Sequence, residues 1–100
     1  MTNYIVMLNT VPTFRGPTLI AHLRQACGEE PTAAWASNTT FGMFVSSAIG
    51  ATRIYNEIVR AKAGVTSILV VELGQDFTSS ERDSRAAGWL RSHLRDISVP

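Results

Sequence analysis

An α+β domain built on an antiparallel sheet is what the sequence predicts, and three observations carry it. Apolar runs of strand length alternate with segments whose apolar residues recur at helical spacing. The segments fall in the order strand, helix, strand, strand, helix, strand. The late run Ser67-Ile68-Leu69-Val70-Val71-Glu72-Leu73 is apolar on both faces of a strand, so both of its sides need cover.

Taken in order, Tyr4-Ile5-Val6-Met7-Leu8 reads as a first strand that ends near Asn9. Residues 10–16 hold Pro12 and Gly16 and form a loop. Pro17 suits the first turn of a helix, Leu19, Ile20, Leu23 and Cys27 give it an apolar stripe, and Gly28 stops it. A second strand is centred on Trp35 over residues 33–37. The turn Asn38-Thr39-Thr40 joins it in a hairpin to a third strand over residues 41–46. Gly42 inside that strand predicts a bulge or a close backbone approach.

Ser46 and Ser47 offer N-caps for a second helix that runs to about residue 63 and ends at Gly64. Its apolar stripe is Ile49, Ile54, Ile58 and Tyr55 with Val59. The fourth strand, residues 67–73, follows. After a loop over residues 74–77, Thr78-Ser79-Ser80-Glu81 matches a capping box. It opens an additional C-terminal helix to about residue 96, with Ala86, Ala87, Leu90 and Leu94 inward and Trp89 and His93 beside them.

The order βαββαβ is that of a split β-α-β, or ferredoxin-like, domain, which places two helices on one face of an antiparallel sheet. Residues 1–100 then form a single domain. On the third strand Phe41, Met43 and Val45 oppose Gly42, Phe44 and Ser46. On the first, Tyr4, Val6 and Leu8 oppose Ile5 and Met7. Both faces of the sheet are apolar, yet the two helices cover one. Either the C-terminal helix crosses the open face or a second copy packs there, and the fourth strand lies at a sheet edge. The expectation is a homodimer through the open face, the edge of the last strand, or both.

Composition is that of an ordinary globule, 45% apolar and 17% charged, with a formal net charge of +1. That balance gives no electrostatic argument for nucleic acid or membrane, although a local patch can still act. Cys27 is the only cysteine, so no disulfide or cysteine metal cluster forms within one chain. With no signal-peptide pattern and no apolar run of membrane length, the expected location is the cytoplasm and no membrane partner is expected.

The chain resembles the small CRISPR-associated ferredoxin-like dimers and their VapD-type, GhoS-type and SinR-like relatives, the SinR-like proteins most of all. The residues that carry the resemblance are Tyr4-Ile5-Val6, Trp35, Thr40-Phe41, Ser46-Ser47-Ala48, Ser67 to Leu73 and Gly88-Trp89-Leu90. The resemblance implies a dimer. In nuclease members an acid at the end of the first strand holds a metal at the dimer axis. The position here is Asn9, a poorer ligand for a hard divalent cation such as Mg²⁺, so the resemblance points to a non-catalytic protein.

Candidate sites are few. Asn9, Thr10 and Arg15 could line a polar site at the end of the first strand, against the plain reading of loop chemistry. Glu72 and Asp76 are weak metal candidates, otherwise turn and cap residues. Arg53, Arg60 and Lys62 could contact phosphate, with Glu57 interrupting them, or form a solvated helix face. His22 and His93 lack acids at catalytic spacing, and Ser37, Ser46, Ser47, Ser79 and Ser80 lack a nucleophile motif. No catalytic residue and no cofactor are assigned. The expected function is a dimeric binding module for nucleic acid or a protein partner. The alternatives are a metal-dependent nuclease acting on RNA or DNA and a small-molecule regulatory module.

Overall fold

The structure, a computed structural model, describes residues 1–74. The C-terminal helix expected from the Thr78 capping box, its flanking loop with Asp76, and Trp89 and His93 lie outside the described residues. The elements are β1 (Thr2–Thr10), α1 (Gly16–Cys27), β2 (Thr32–Ala36), β3 (Thr40–Ser47), α2 (Ala51–Ala61) and β4 (Val65–Glu72). Together they make an α+β fold with one open, antiparallel, four-stranded sheet in the order β2-β3-β1-β4.

β1 runs through the middle. It pairs Tyr4 with Val45 and Val6 with Met43 on one side, and Val6 with Val70 and Leu8 with Ile68 on the other. A pleated strand sends alternate side chains to opposite faces. Tyr4, Val6 and Leu8 therefore join Phe41, Met43 and Val45 on a single face, where they are buried against Leu19, Leu23 and Cys27 of α1 and Ile54 and Ile58 of α2. Each such Leu or Ile contributes about 1.5–3 kcal/mol by leaving water. Ile68 and Val70 of β4 pack at the margin of this core.

α1 matches its expected span. Pro17 occupies its first turn, and Gly28 closes it at φ 83° by donating its N–H to the Arg24 carbonyl at 3.0 Å. α2 departs from its expected start. Ser46 and Ser47 do not cap it: they are buried strand residues, paired with Asn3 and Thr2. The helix starts after Gly50, whose φ is 84°, and no side chain caps it. Ser47 Oγ instead accepts the Ile49 N–H at 3.1 Å, which turns the chain out of the sheet. α2 also ends earlier than expected, at Lys62, which takes the left-handed conformation at φ 50°. Of its expected apolar stripe, Ile54 and Ile58 are buried, Ile49 packs on the core from outside the helix, and Tyr55 and Val59 are exposed.

The face away from the helices carries Ile5 and Met7 of β1, Phe44 of β3, and Leu69 and Val71 of β4. Trp35 joins them through a β-bulge. Ala33 pairs with Met43 and Trp35 with Gly42, so one extra residue shifts the alternation and brings Trp35 to the outer face. Its ring lies over Gly42 and 5.5 Å from the Phe44 ring. Among the described residues, no helix is long and apolar enough to cross a membrane.

Candidate functional site

The end of β1 does not gather its expected polar trio. Asn9 and Thr10 are neighbours on a strand and point to opposite sides. Asn9 is exposed, between Thr40 and Ser67 in the pairing register. Thr10 is buried and donates its N–H to the Thr39 carbonyl at 2.8 Å. Arg15 turns to the end of α2, where its backbone N–H meets the Ala63 carbonyl at 2.8 Å and its guanidinium Nη2 donates to the Lys62 carbonyl at 2.6 Å.

The arrangement there is a clasp that no sequence pattern announces. The β1–α1 loop lies against the α2–β4 turn, with Val11 N–H donating to the Gly64 carbonyl at 3.0 Å. Gly64 has φ 95°, and a Cβ there would come within 2.9 Å of Val11 Cγ2. Arg15 supplies a positive charge to the carbonyl end of α2, the favourable sign for a helix C-terminus. That satisfies one helix-end carbonyl and leaves less of Arg15 for a ligand. Arg15 and Lys62 thereby stand beside each other at one end of the helical layer.

Arg53, Glu57 and Arg60 fall at spacings of four and three residues on α2, so they share one face. Glu57 Oε1 lies 2.9 Å from His22 Nε2, and Glu57 Oε2 lies 3.4 Å from Arg60 Nη1. The Glu57 carboxyl is held below its ordinary value, first by the hydrogen bond from His22, with the charges of Arg60, His22 and Arg53 assisting and desolvation opposing. Glu57 therefore neutralises part of the basic stripe it interrupts. All five Lys and Arg residues of the described chain, Arg15, Arg24, Arg53, Arg60 and Lys62, nevertheless sit on α1, on α2 or at their ends.

Glu57 shares α2 with Arg53 and Arg60, and Glu72, the metal candidate of β4, lies elsewhere. Glu72 pairs with Tyr4, whereas Asn9 pairs with Ser67, so Glu72 and Asn9 lie at opposite ends of β1. The five-residue step from Tyr4 to Asn9 corresponds to roughly 17 Å of strand. Glu72 therefore does not supply the carboxylate that Asn9 lacks. Among the described residues, no three His, Cys, Asp or Glu side chains come together as a metal site.

The remaining candidates have local structural work. Ser37 Oγ accepts the Thr40 N–H at 3.1 Å and sits 2.7 Å from Thr40 Oγ1, holding the β2–β3 turn. Cys27 is buried, and desolvation pushes its thiol up from 9.0, with the Glu57 charge adding and a hydrogen bond with Ser47 opposing. A raised thiol is a poor nucleophile near neutral pH. Sequence reasoning missed an open groove of about 580 Å³ between α1 and β2, lined by Ile20, Arg24, Glu30, Thr32, Ala33 and Phe41 among others. Its only advance signal was the charged pair Arg24 and Glu30 flanking the α1–β2 connection.

Set beside known proteins, the chain matches no protein-family model, no curated protein and no solved structure.

Proposed function

We propose that the chain is a non-catalytic, ferredoxin-like binding module that works as a homodimer, in the manner of the SinR-like and CRISPR-associated small proteins it resembles. The observation that carries the reading is the outer face of the sheet. Met7, Trp35, Leu69 and Val71 keep large apolar side chains outside the core, with Leu69 57% exposed. Beside them, β4 has an edge that no described segment pairs. Clustered apolar surface marks an interaction site, and an open edge invites another strand. A second copy answers both, because a patch on a two-fold axis covers its own twin.

The ligand favoured by the charge distribution is nucleic acid, bound through phosphate on the helical layer. Arg15, Arg24, Arg53, Arg60 and Lys62 supply the cations, and a dimer doubles them. Light scattering of the purified chain should give twice 10.9 kDa. Fluorescence anisotropy with labelled RNA and duplex DNA should show binding that weakens steeply with salt. A single-chain mass sinks the dimer, and no binding to either nucleic acid at low salt turns the reading to a protein partner. Cleavage of RNA or DNA that needs Mg²⁺ or Mn²⁺ and is lost in Glu72→Ala or Asp76→Ala would replace it with the nuclease reading.

A second reading, a small-molecule regulatory module, has the groove between α1 and β2 behind it. Its mixed lining of Ile20, Phe41, Arg24 and Glu30 suits a small amphipathic ligand. A thermal-shift screen of metabolites tests it, and shifts that survive Arg24→Ala would place the ligand elsewhere.

A further inference from the structure

We infer that the groove between α1 and β2 takes a free α-amino acid with a large apolar side chain, its carboxylate on Arg24, its ammonium on Glu30 and its side chain along the apolar floor. The inference rests on the small-molecule reading of this groove and names the ligand class.

The two ends of the groove differ. Residues 28–31 alone join α1 to β2, so the last turn of α1 stands beside the start of β2. Arg24, Glu30 and Thr32 line that end. The other end lies against the start of α1. A Cβ on Gly16 would stand 4.0 Å from Phe41 Cε1, and Phe41 pairs with Ala36 at the far end of β2. Ile20 and Ala33 line the stretch between. From Gly16 to Arg24 the helix rises about 12 Å. The groove therefore has a charged head and an apolar run, and its volume of about 580 Å³ falls in the range of small-molecule sites.

The charged head carries both signs. Arg24 and Glu30 are exposed and line one groove, yet they do not pair with each other. The ion pairs among the described residues join Glu57 to His22 and to Arg60, and no hydrogen bond engages either the Arg24 or the Glu30 side chain. An anion beside Arg24 also meets Glu30, and a cation beside Glu30 also meets Arg24, so each is opposed by a like charge. A ligand with both signs on neighbouring atoms satisfies the two side chains together. A free α-amino acid holds its carboxylate and ammonium on one carbon, whereas a peptide separates them to opposite ends. The planar guanidinium matches a carboxylate in two parallel hydrogen bonds. Ile20, Ala33 and Phe41 then withdraw an apolar side chain from water, which favours phenylalanine over serine.

Isothermal titration calorimetry on the full-length chain tests this with three ligands that share one ring: L-phenylalanine, phenylpropionate without the ammonium, and phenethylamine without the carboxylate. The expected result is saturable binding of phenylalanine, with each analogue about three- to tenfold weaker because one ionic contact is gone. L-serine should bind more weakly than phenylalanine. Arg24→Gln should weaken phenylalanine and phenylpropionate but not phenethylamine. Glu30→Gln should weaken phenylalanine and phenethylamine but not phenylpropionate. A general loosening of the groove would weaken all three ligands alike in either variant, and that pattern overturns the inference. Analogues that bind as tightly as phenylalanine, yet weaken in Arg24→Ala, overturn the inference and leave the small-molecule reading standing. Phenylalanine binding unchanged in both glutamine variants, or absent at millimolar concentration, overturns it as well. The small-molecule reading falls only where the metabolite screen also yields no ligand that depends on Arg24.

Discussion

His22 on α1 and Glu57 on α2 meet across the helical layer, with Nε2 2.9 Å from Oε1. Glu57 is mostly shielded while His22 is more open, and Arg60 holds the second carboxylate oxygen. The pair links two helices whose apolar side chains share one core.

The carboxyl of Glu57 sits below its ordinary value of 4.5. A depressed folded value means that the stabilisation is complete above pH 4.5 and is lost as the pH falls through the lower folded value. Glu57→Gln should therefore melt earlier than the parent at pH 7. The difference in Tm should shrink as the pH is lowered from 5 to 3. A difference that stays constant over that range would show that the ionised carboxylate contributes nothing.

Cys27 gives a second pH-linked expectation. Burial raises its thiol above 9.0, so the thiolate is scarce at pH 8. A thiol reagent should react slowly with the native protein and rapidly in denaturant. Ser47→Ala removes the hydrogen bond that opposes the rise, and it should slow the native reaction further where opening to solvent is unchanged.

Gly42 is where Trp35 rests. A Cβ there would fall 2.7 Å from Trp35 Cε3 and 3.1 Å from Met7 Sδ. Gly42→Ala should cost about 1–3 kcal/mol by overpacking. The urea midpoint should drop and Trp35 emission should change with it. In a Trp35→Ala background the same substitution should cost much less, which a double-mutant cycle measures.

Gly64 and Gly50 both have positive φ but differ in surroundings. At Gly64 a Cβ meets Val11 and the Phe14 backbone, whereas at Gly50 nothing lies within 4 Å. Gly50→Ala should cost about 1–3 kcal/mol from backbone strain alone, because φ 84° with ψ 160° is a conformation nearly exclusive to glycine. Gly64→Ala should cost more, about 2–4 kcal/mol, because strain and overpacking add. Equal midpoints for the two variants would mean that the Arg15–Gly64 clasp gives way easily.

Ile54 and Val59 test the division of α2. Ile54 is fully buried and Val59 is 53% exposed. Ile54→Ala should cost about 2–5 kcal/mol. Val59→Ser should stay within about 0.5 kcal/mol of the parent. Chemical denaturation of both variants checks the pair.

The strands and α1 were legible because their signals are local. Tyr4 to Leu8, Phe41 to Ser46 and Ile68 to Val71 are apolar runs, and Pro17 and Gly28 bracket a helix. What escaped is set by pairing between distant segments. Ser46 and Ser47 resemble helix caps, but Asn3 and Thr2 extend the ladder and hold them in β3. Trp35 changes face because β2 carries one residue more than its partner, which no composition rule detects. Asn9, Thr10 and Arg15 are close in number yet diverge, since a strand alternates and Arg15 answers to Lys62. Glu72, a metal candidate at the end of β4, stands by antiparallel register at the end of β1 away from Asn9.

The central place of β1 has a consequence for how the chain is made. β1 leaves the ribosome before the other described strands, yet one of its two neighbours is β4, some sixty residues later in the chain. Until Val65 to Glu72 have emerged, one side of β1 lacks its hydrogen-bond partners, and non-local pairing of this kind slows folding. A nascent chain halted before Val65 presents Val6 and Leu8 on an unfinished strand, the kind of edge that chaperones shield. Sheet closure is therefore a late event, and substitutions in β4 should delay it more than equal losses of stability in the β2–β3 hairpin.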